Sequence, residues 1–340
     1  MGVEVFLKKT IMKHLEGKIT VVTGATRGLG KGIAIALGEA GATVYITGRT
    51  LERSTSDDGV SGSLQETQSA VEEVGGVCIP IQVDHSDDEQ VRLLFERIQD
   101  EQGQLDLLVN NAYAGVQALT DASGKPFWES EPNLWDACNN VGLRSHYVAS
   151  IFAARMMTPH QQGLICTISS WGSLSYIFSP PYGAGKSACD RLAADMAIEL
   201  KPQNIVSLSI WPGIVGTEKF TQFAANMDES AGLDPKNSAI KERYNWETPL
   251  LTGRVIAALA TDSTVMRRTG RVQIVAELAK HYGLVDKNGE RPVSLRSLRF
   301  VLPLVFPALR KYPWLVPNIN VPWSLLLLKS LSSPKIGAAE

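Results

Sequence analysis

Several features that mark common classes of protein are missing from this 340-residue sequence. Its four cysteines form no CxxC pair, which gives a disulfide framework or a thiolate metal site nothing to start from. Its five histidines have no HExxH or other paired spacing, which excludes the commonest zinc hydrolases, so no metal site is expected. The formal net charge is only -2, with 44% hydrophobic and 20% charged residues, and this balance disfavours a nucleic-acid binder or a disordered chain.

Long apolar runs are also missing. Residues 1–16 contain lysines among the apolar residues and lack the h-region of a signal peptide, which predicts a cytoplasmic protein. Residues 291–339 contain no Asp or Glu but seven basic residues, and prolines break their apolar blocks into pieces too short to span a bilayer. Two interpretations of this tail stay open: peripheral contact with an anionic membrane, or packing on the protein.

What the sequence does contain is an alternation of short β-branched runs with longer segments of helical periodicity. This pattern predicts an α/β fold, a doubly wound, seven-stranded parallel sheet of the Rossmann type with helices on both faces and a C-terminal extension. The predicted strands are 19–22, 44–47, 77–83, 105–110, 163–169, 205–210 and 270–275. The predicted helices are 28–40, 64–74, 87–99, 135–157 and 182–200.

Three regions are expected along the chain. Residues 1–16 form an amphipathic segment, residues 17–280 form the Rossmann domain with a substrate lid over 217–248, and residues 281–340 form the basic, apolar extension. The first region has an apolar stripe at helical spacing, made of Val3, Leu7, Ile11 and Leu15.

A glycine-rich turn lies where the first strand meets the first helix, in the run Thr23-Gly24-Ala25-Thr26-Arg27-Gly28-Leu29-Gly30. Glycines at this place let the backbone approach a pyrophosphate, while the N-terminus of the helix faces the phosphates. Turns use glycine for other reasons as well, but a strand before and a helix after favour a nucleotide site.

Tyr182 and Lys186 are four residues apart, so on a helix they share one face. An ammonium group stabilises a neighbouring phenolate, and a tyrosine, whose ordinary pKa is near 10, becomes a usable acid and base in this way. A chance pair at this spacing is common. This one, however, follows Ser169 and Ser170, which end the fifth predicted strand, where open α/β sheets bind their ligands.

Together these motifs resemble those of the classical short-chain dehydrogenase/reductase family. The glycine turn resembles its TGxxxGxG loop, and Tyr182 and Lys186 its YxxxK pair. Three further runs are similar to family motifs. Asn110-Asn111-Ala112-Tyr113-Ala114-Gly115 is similar to NNAG with two inserted residues, and Asn139-Asn140-Val141-Gly142 is similar to the helix motif that contains the relay asparagine. Pro212-Gly213-Ile214-Val215-Gly216-Thr217 is similar to PGxxxT. The resemblance covers residues 17 to about 275.

The resemblance implies the catalytic residues Asn140, Ser170, Tyr182 and Lys186. Tyr182 would exchange the proton, Ser170 would polarise the substrate oxygen, Lys186 would bind the nicotinamide ribose, and Asn140 would hold a water that links the lysine to solvent. In the family's usual SSxxG motif the second serine polarises the carbonyl, but here the glycine, Gly172, comes one residue early. Ser169 therefore stays open as the alternative to Ser170. A structural alternative for Asn140 is an asparagine that caps or breaks a helix.

The resemblance also implies a nicotinamide cofactor, and the end of the second strand indicates which one. NAD-specific sites usually place an acid there, whereas this sequence has Arg49, and Arg27 lies in the glycine loop. Because guanidinium groups bind a 2′-phosphate, NADPH is predicted over NADH. The expected cofactor-binding residues are Gly24, Thr26, Arg27, Gly28, Leu29, Gly30, Arg49, Asp84, His85, Asn111, Tyr182, Lys186, Pro212, Gly213, Val215 and Thr217.

The predicted function is therefore that of an NADPH-preferring carbonyl reductase or alcohol dehydrogenase. The resemblance also implies a homo-oligomer built on the two long predicted helices, 135–157 and 182–200. Aromatic residues in segments 113–133 and 217–248 suggest a ketone, aldehyde or secondary alcohol of apolar character. An epimerase or dehydratase of the extended family is disfavoured because its loop has the spacing TGxxGxxG. The alternative from another class is a catalytically silent NADP(H)-binding sensor or a membrane-associated scaffold.

Overall fold

The central sheet contains seven parallel strands, as the sequence predicts. The structure is a computed structural model that describes residues 14–52, 61–225, 239–287 and 289–330. The strands of the sheet are β1 (Ile19–Val22), β2 (Thr43–Gly48), β3 (Val77–Gln82), β4 (Leu107–Asn110), β5 (Gly163–Ile168), β6 (Ile205–Trp211) and β9 (Val272–Ile274); a separate parallel pair is formed by β7 (Ile214–Val215) and β8 (Trp246–Glu247). The strand order in the sheet is β3-β2-β1-β4-β5-β6-β9.

Helices cover both faces of this sheet because its strands alternate apolar side chains to each side. The helices are α1 (Gly28–Glu39), α2 (Leu64–Glu73), α3 (Asp88–Gln102), α4 (Val116–Asp121), α5 (Asn133–Asn139), α6 (Ser145–Met157), α7 (Pro180–Leu200), α8 (Glu218–Ala225), α9 (Pro249–Thr261), α10 (Val275–His281), α11 (Leu298–Val305) and α12 (Trp323–Ser330). On β1, Val22 packs with α1, α2, α9 and α10, whereas Val21 packs with α3 and α6. The predicted doubly wound α/β fold is thus confirmed.

The packing of α1 on α9 is close because glycines line the contact. A Cβ atom on Gly32 would lie 2.3 Å from Cβ of Pro249, and one on Gly253 would lie 2.6 Å from Cβ of Ala36. Arg254 and Glu39 join the same two helices through an ion pair of 3.1 Å. These contacts hold α1, the helix that begins at the glycine loop, against α9.

One predicted element differs from the structure. The sequence predicts a single helix over 135–157, but α5 ends at Asn139 and α6 begins at Ser145, with a kinked turn between them. In this turn Val141 has non-helical backbone angles and Gly142 has a φ of 148°, which favours glycine. The kink also makes room for an aromatic ring, since a Cβ atom on Gly142 would lie 2.5 Å from Cδ2 of Tyr113.

The C-terminal extension packs on the domain in the part of the chain that the structure describes. Trp323 of α12 meets Trp211 edge to face at a centroid distance of 6.0 Å, and Arg296 pairs with Glu277 of α10 at 2.6 Å. Tyr244, which lies within the predicted lid, donates its hydroxyl hydrogen to the carbonyl oxygen of Arg299 at 2.7 Å. The packed alternative of the sequence analysis therefore describes a large part of the tail.

Two further arginines of the extension also bind inside the protein. Arg299 donates from Nε to the carbonyl oxygen of Val316, and Arg310 pairs with Glu242. The cationic character that the sequence suggests is thus partly used in internal bonds. In the described ranges, none of the helices combines the length and the hydropathy that a membrane span requires.

Some predicted segments lie outside the described residues: Val3, Leu7 and Ile11 of the N-terminal stripe, positions 53–60 of the polar loop, and positions 226–238 of the predicted lid. The last residue of the stripe, Leu15, is described and is buried in the core beside α1 and α9.

Candidate active site

A serine and a tyrosine come together where β5 ends and α7 begins. Ser170 starts a short 3₁₀ turn, and its Oγ lies 2.8 Å from the hydroxyl oxygen of Tyr182 while accepting the N–H of Gly172 at 3.1 Å. Tyr182 lies in the first turn of α7, where its N–H donates to the capping side chain of Ser179. A Cβ atom on Gly172 would lie 2.5 Å from Cε1 of Tyr182, so glycine permits this approach.

Ser169 faces the other way. Its side chain is buried, and its Oγ donates to the carbonyl oxygen of Lys186 at 3.0 Å, beneath α7. Of the two serines that the sequence left open, the structure brings Ser170 to the phenol.

Lys186 follows one helical turn after Tyr182 and lies on the same face of α7. Its side chain is buried, and Nζ donates to the carbonyl oxygen of Ile168 at 3.2 Å. The ammonium nitrogen lies 5.9 Å from the ring centroid of Tyr182 and 4.9 Å from that of Tyr113. The serine hydroxyl, the phenol and the ammonium predicted from the sequence therefore form one cluster.

The asparagine is where the geometry departs from the sequence-based assignment. Asn140 is exposed on the kinked turn, whereas Asn139 is buried and donates from Nδ2 to the carbonyl oxygens of Trp135 and Pro181. A Cβ atom on Gly185 would lie 2.2 Å from Oδ1 of Asn139, which puts this amide against the residue next to Lys186. The asparagine beside α7 is thus Asn139 and not Asn140, which lies on the kinked turn that follows α5.

The glycine loop has the close contacts that a dinucleotide site needs. A Cβ atom on Gly24 would lie 2.6 Å from Cα of Ala112, and one on Gly30 would lie 2.3 Å from the carbonyl oxygen of Gly24. Asn111 donates from Nδ2 to the carbonyl oxygens of Thr23 and Gly24, so it ties the loop to β4. With Gly28 at the first turn of α1, free of any Cβ, this loop fits the pyrophosphate of NAD(P).

Loop 212–217 runs from β6 to the same place. The N–H of Gly213 donates to Oε1 of Glu247 at 2.9 Å, and β7, which contains Val215, pairs with β8. Thr217 reaches the start of α1, since a Cβ atom on Gly28 would lie 3.5 Å from its Cγ2. Pro212, Gly213, Val215 and Thr217 therefore lie on one loop that ends at the glycine turn.

The remaining predicted cofactor residues surround the carboxyl ends of β2 and β3. Arg49 is exposed immediately after β2, and Thr26 packs on the neighbouring Gly48. After β3, His85 is buried, and its Nε2 lies 2.7 Å from the hydroxyl oxygen of Thr47. Burial lowers the pKa of His85 to about 4. Of the other three, Arg27 is the N-cap residue of α1, Leu29 packs against the core, and Asp84 accepts hydrogen bonds from Ser86.

Two acidic residues near this site gave no signal in the sequence analysis. Glu247 is buried beside Gly213, and its burial raises its pKa to about 7. Glu218, at the start of α8, accepts the N–H of Gly28 through Oε2 at 3.0 Å. Both contacts join residues far apart in the chain, so no local pattern indicates them. Among the described residues there is also no cluster of three His, Cys, Asp or Glu side chains that could hold a metal ion.

Comparison with known proteins decides the family. Residues 18–228 match the family described as short chain dehydrogenase. The chain belongs to the short-chain dehydrogenase family. It is 47% identical over 293 residues to Dehydrogenase/reductase SDR family member 1 of Mus musculus, which covers 86% of this chain and 90% of the relative. The protein of the same name from Homo sapiens is 48% identical over 290 residues, which cover 85% of this chain and 89% of the relative.

Solved structures of the family have the same fold. A putative short-chain alcohol dehydrogenase from Sinorhizobium meliloti is 26% identical with a TM-score of 0.61, over 78% of this chain and 96% of that one. A metagenomic short-chain oxidoreductase, solved in complex with NADP, is 25% identical with a TM-score of 0.58, over 77% and 97%. This short-chain dehydrogenase is therefore an NAD(P)-binding oxidoreductase that acts on CH–OH or C=O groups.

Proposed function

We propose that this short-chain dehydrogenase is an NADPH-preferring carbonyl reductase or alcohol dehydrogenase for apolar ketones, aldehydes or secondary alcohols. The observation that carries the proposal is the distance of 2.8 Å between Ser170 Oγ and the Tyr182 hydroxyl, with the Lys186 ammonium below the same ring. A substrate oxygen that takes both hydroxyls as hydrogen-bond partners is polarised by one and protonated by the other. A sensor or scaffold with a silent site would have no need of this arrangement.

In the reductive direction, Tyr182 donates its hydroxyl proton to the substrate oxygen while Ser170 donates a hydrogen bond to it. The bound nicotinamide cofactor supplies the hydride chemistry. The Lys186 ammonium stabilises the phenolate that remains on Tyr182, and it is positioned to bind the ribose of the cofactor. For the relay of protons we propose Asn139 in place of Asn140, because Asn139 is the buried amide beside α7.

The preference for NADPH rests on the end of β2. Arg49 is exposed there, and no acid occupies the last positions of the strand, Thr43–Gly48. Arg27 is the N-cap residue of α1, one residue before Gly28. A 2′-phosphate between these two guanidinium groups gains charge-assisted hydrogen bonds, whereas the ribose hydroxyls of NADH lack the charge.

The apolar character of the substrate rests on aromatic side chains in the proposed lid, positions 217–248. Phe220 of α8 lies 5.2 Å from Trp246 and 6.0 Å from Phe223, measured between ring centroids. Next to the proposed reacting groups, Phe178 meets the ring of Tyr182 edge to face at 5.1 Å. Aromatic walls of this kind favour apolar ligands.

We also propose the domain division 1–16, 17–280 and 281–340, a homo-oligomer built on the helical segments 135–157 and 182–200, and peripheral membrane contact through the extension. The support for membrane contact is a set of exposed apolar side chains on the extension, which is the kind of surface that enters a lipid interface. These are Phe306, Tyr312, Trp314, Leu315, Ile319, Leu325 and Leu328, with the exposed Lys311 beside them.

The mechanism is tested by Tyr182→Phe, which keeps the aromatic ring and removes the hydroxyl group that would exchange the proton. With a panel of apolar ketones and aldehydes and NADPH, we expect wild-type turnover on at least one substrate and a loss of kcat of about 1,000-fold or more in the variant. Cofactor affinity, measured by NADPH fluorescence, should stay near that of wild type. Tyr312→Phe, a change of an exposed tyrosine outside the site, is the matched control and should keep full activity. Undiminished turnover by Tyr182→Phe would exclude the proposed role of the phenol.

A further inference from the structure

Tyr113 belongs to the two-residue insertion that separates this chain from the NNAG pattern, and its ring occupies a space that the surrounding backbone leaves open. Ala114, the second inserted residue, donates its N–H to the carbonyl oxygen of Val141 in the kinked turn. The ring then lies between two glycines, since a Cβ atom on Gly115 would be 2.6 Å from its hydroxyl oxygen and one on Gly142 would be 2.5 Å from Cδ2. Two glycines and a broken helix thus accommodate this one aromatic side chain.

The ring meets the catalytic pair directly. Nζ of Lys186 lies 4.9 Å from the centroid of the Tyr113 ring, closer than the 5.9 Å to the ring of Tyr182. The Tyr113 and Tyr182 rings meet edge to face at 6.2 Å, with an angle of 85° between their planes. Tyr113 therefore contacts both groups that carry the proposed proton transfer.

Lys186 needs such a neighbour because its charge is buried. The side chain is 8% exposed, and its hydrogen-bond acceptor among the described residues is the carbonyl oxygen of Ile168. No carboxylate in the described part of the chain forms an ion pair with it. A buried ammonium without a counter-ion is unfavourable, and the negative face of an aromatic ring compensates part of that cost.

We propose that Tyr113 is a positioning residue for the Lys186 ammonium: its ring face holds the charge beside Tyr182 and beside the ribose site of the cofactor. This inference rests on the proposed function of Tyr182 and Lys186. Without the ring face, the ammonium gains freedom to turn toward water. It then stabilises the Tyr182 phenolate less and binds the cofactor more weakly.

Other titratable side chains around this cluster come from α5, α6 and α7. They are Cys138, His146 and Cys189, and Lys186 interacts electrostatically with each of them. Burial lowers the pKa of His146 to about 3 and raises the pKa of Cys138, Cys189 and Tyr113. These groups are therefore uncharged near neutral pH.

The test compares Tyr113→Phe, which keeps the ring face, with Tyr113→Leu, which keeps a smaller apolar side chain and no ring face. The first measurement is kcat for oxidation of a medium-chain secondary alcohol with NADP⁺ as a function of pH. The second is the Kd of NADPH by fluorescence. Tyr113→Phe should match wild type in both, whereas in Tyr113→Leu we expect the acid limb of the profile to move up by about one pH unit and the Kd to rise about tenfold.

If Tyr113→Leu and Tyr113→Phe give the same pH limb and the same Kd, the positioning role is overturned. Tyr113→Met is the second variant without a ring face, and it replaces the leucine variant if thermal unfolding shows that the latter does not fold. The Kd measurement needs no turnover, so the inference is testable on any substrate. Failure of the proposed function has a different signature, namely an active Tyr182→Phe variant.

Discussion

Adjacent side chains at the end of β5 face opposite sides of the backbone, and this alternation sets the chemistry of the site at the residue scale. Ser170 points to the Tyr182 hydroxyl, while Ser169 points beneath α7 to the backbone of Lys186. The two serines thus have separate tasks, since one touches the phenol and the other anchors the helix that carries it. Ser169→Ala would act on the position of α7, whereas Ser170→Ala would remove the hydroxyl itself.

The cofactor preference also depends on a single side chain, that of Arg49. We expect wild type to have a higher kcat/KM with NADPH than with NADH, because the exposed Arg49 binds the 2′-phosphate. Arg49→Ala should lower kcat/KM for NADPH by about tenfold or more and leave that for NADH nearly unchanged, since it removes one charge-assisted contact. Arg271→Ala, which removes an exposed arginine at the start of β9, should change neither value. A wild type that prefers NADH would contradict the inference.

At the scale of elements, the short pair β7–β8 holds the loop that reaches the cofactor site. Besides the pairing of Ile214 with Trp246, the Gly216 N–H donates to the carbonyl oxygen of Glu247, and the Gly213 N–H donates to the carboxyl group of the same residue. Glu247 thus anchors the loop 212–217 at two places, the start through its buried carboxyl group and Gly216 through its backbone carbonyl.

This anchor predicts a pH dependence of stability. Burial raises the pKa of Glu247 to about 7 from an ordinary value of 4.5, so the folded protein binds the proton more tightly than the unfolded chain does. Its contribution is therefore complete below about pH 4.5 and is lost as the pH rises through about 7. Relative to Glu247→Gln, which cannot ionise, wild type should lose roughly 3 kcal/mol of unfolding free energy across this window.

Urea unfolding of both proteins at a series of pH values measures this difference. The comparison removes the effect of His85 and His146, whose pKa values burial lowers to about 4 and about 3, because both proteins contain them. Those histidines act in the opposite direction, since their contribution is present above pH 6.5 and is lost as the pH falls. A constant difference between wild type and Glu247→Gln at all pH values would contradict the assignment.

At the scale of the whole molecule, the extension connects three parts of the domain. Arg296 binds α10, Trp323 packs on the end of β6, and the backbone of Arg299 accepts a hydrogen bond from Tyr244 in the proposed lid. Phe300 also stacks on the Tyr244 ring at 6.2 Å. A truncation that removes the extension would therefore disturb the domain itself, and point changes on its outer surface are the better probe.

We expect the full chain to float with vesicles that contain anionic lipid, because Trp314 and Leu315 are each 66% exposed on the extension and Lys311 lies beside them. The double change Trp314→Ser and Leu315→Ser should abolish flotation and leave thermal stability unchanged. Leu93→Ser, at an exposed leucine of α3 outside the extension, is the control and should float as wild type does. Salt should weaken the association only modestly, since Arg296, Arg299 and Arg310 are engaged inside the protein. Equal flotation by all three proteins, or none by any, would favour an extension that only packs.

Local patterns of the sequence suffice for the sheet, the glycine turn and the Tyr182–Lys186 pair. The physical reason is that each depends on residues close in the chain: alternation along a strand, strand–turn–helix order, and four-residue spacing on a helix. Family membership follows from the same motifs, and the match over residues 18–228 confirms it.

Tertiary structure alone decided the rest. The break between α5 and α6 turns Asn139 inward and Asn140 outward, because a distant ring, that of Tyr113, requires the space at Gly142. Glu247 reaches Gly213 across 34 positions, and Arg310 reaches Glu242 across 68. Contacts of this kind depend on how elements pack against one another, and neither composition nor periodicity contains that information.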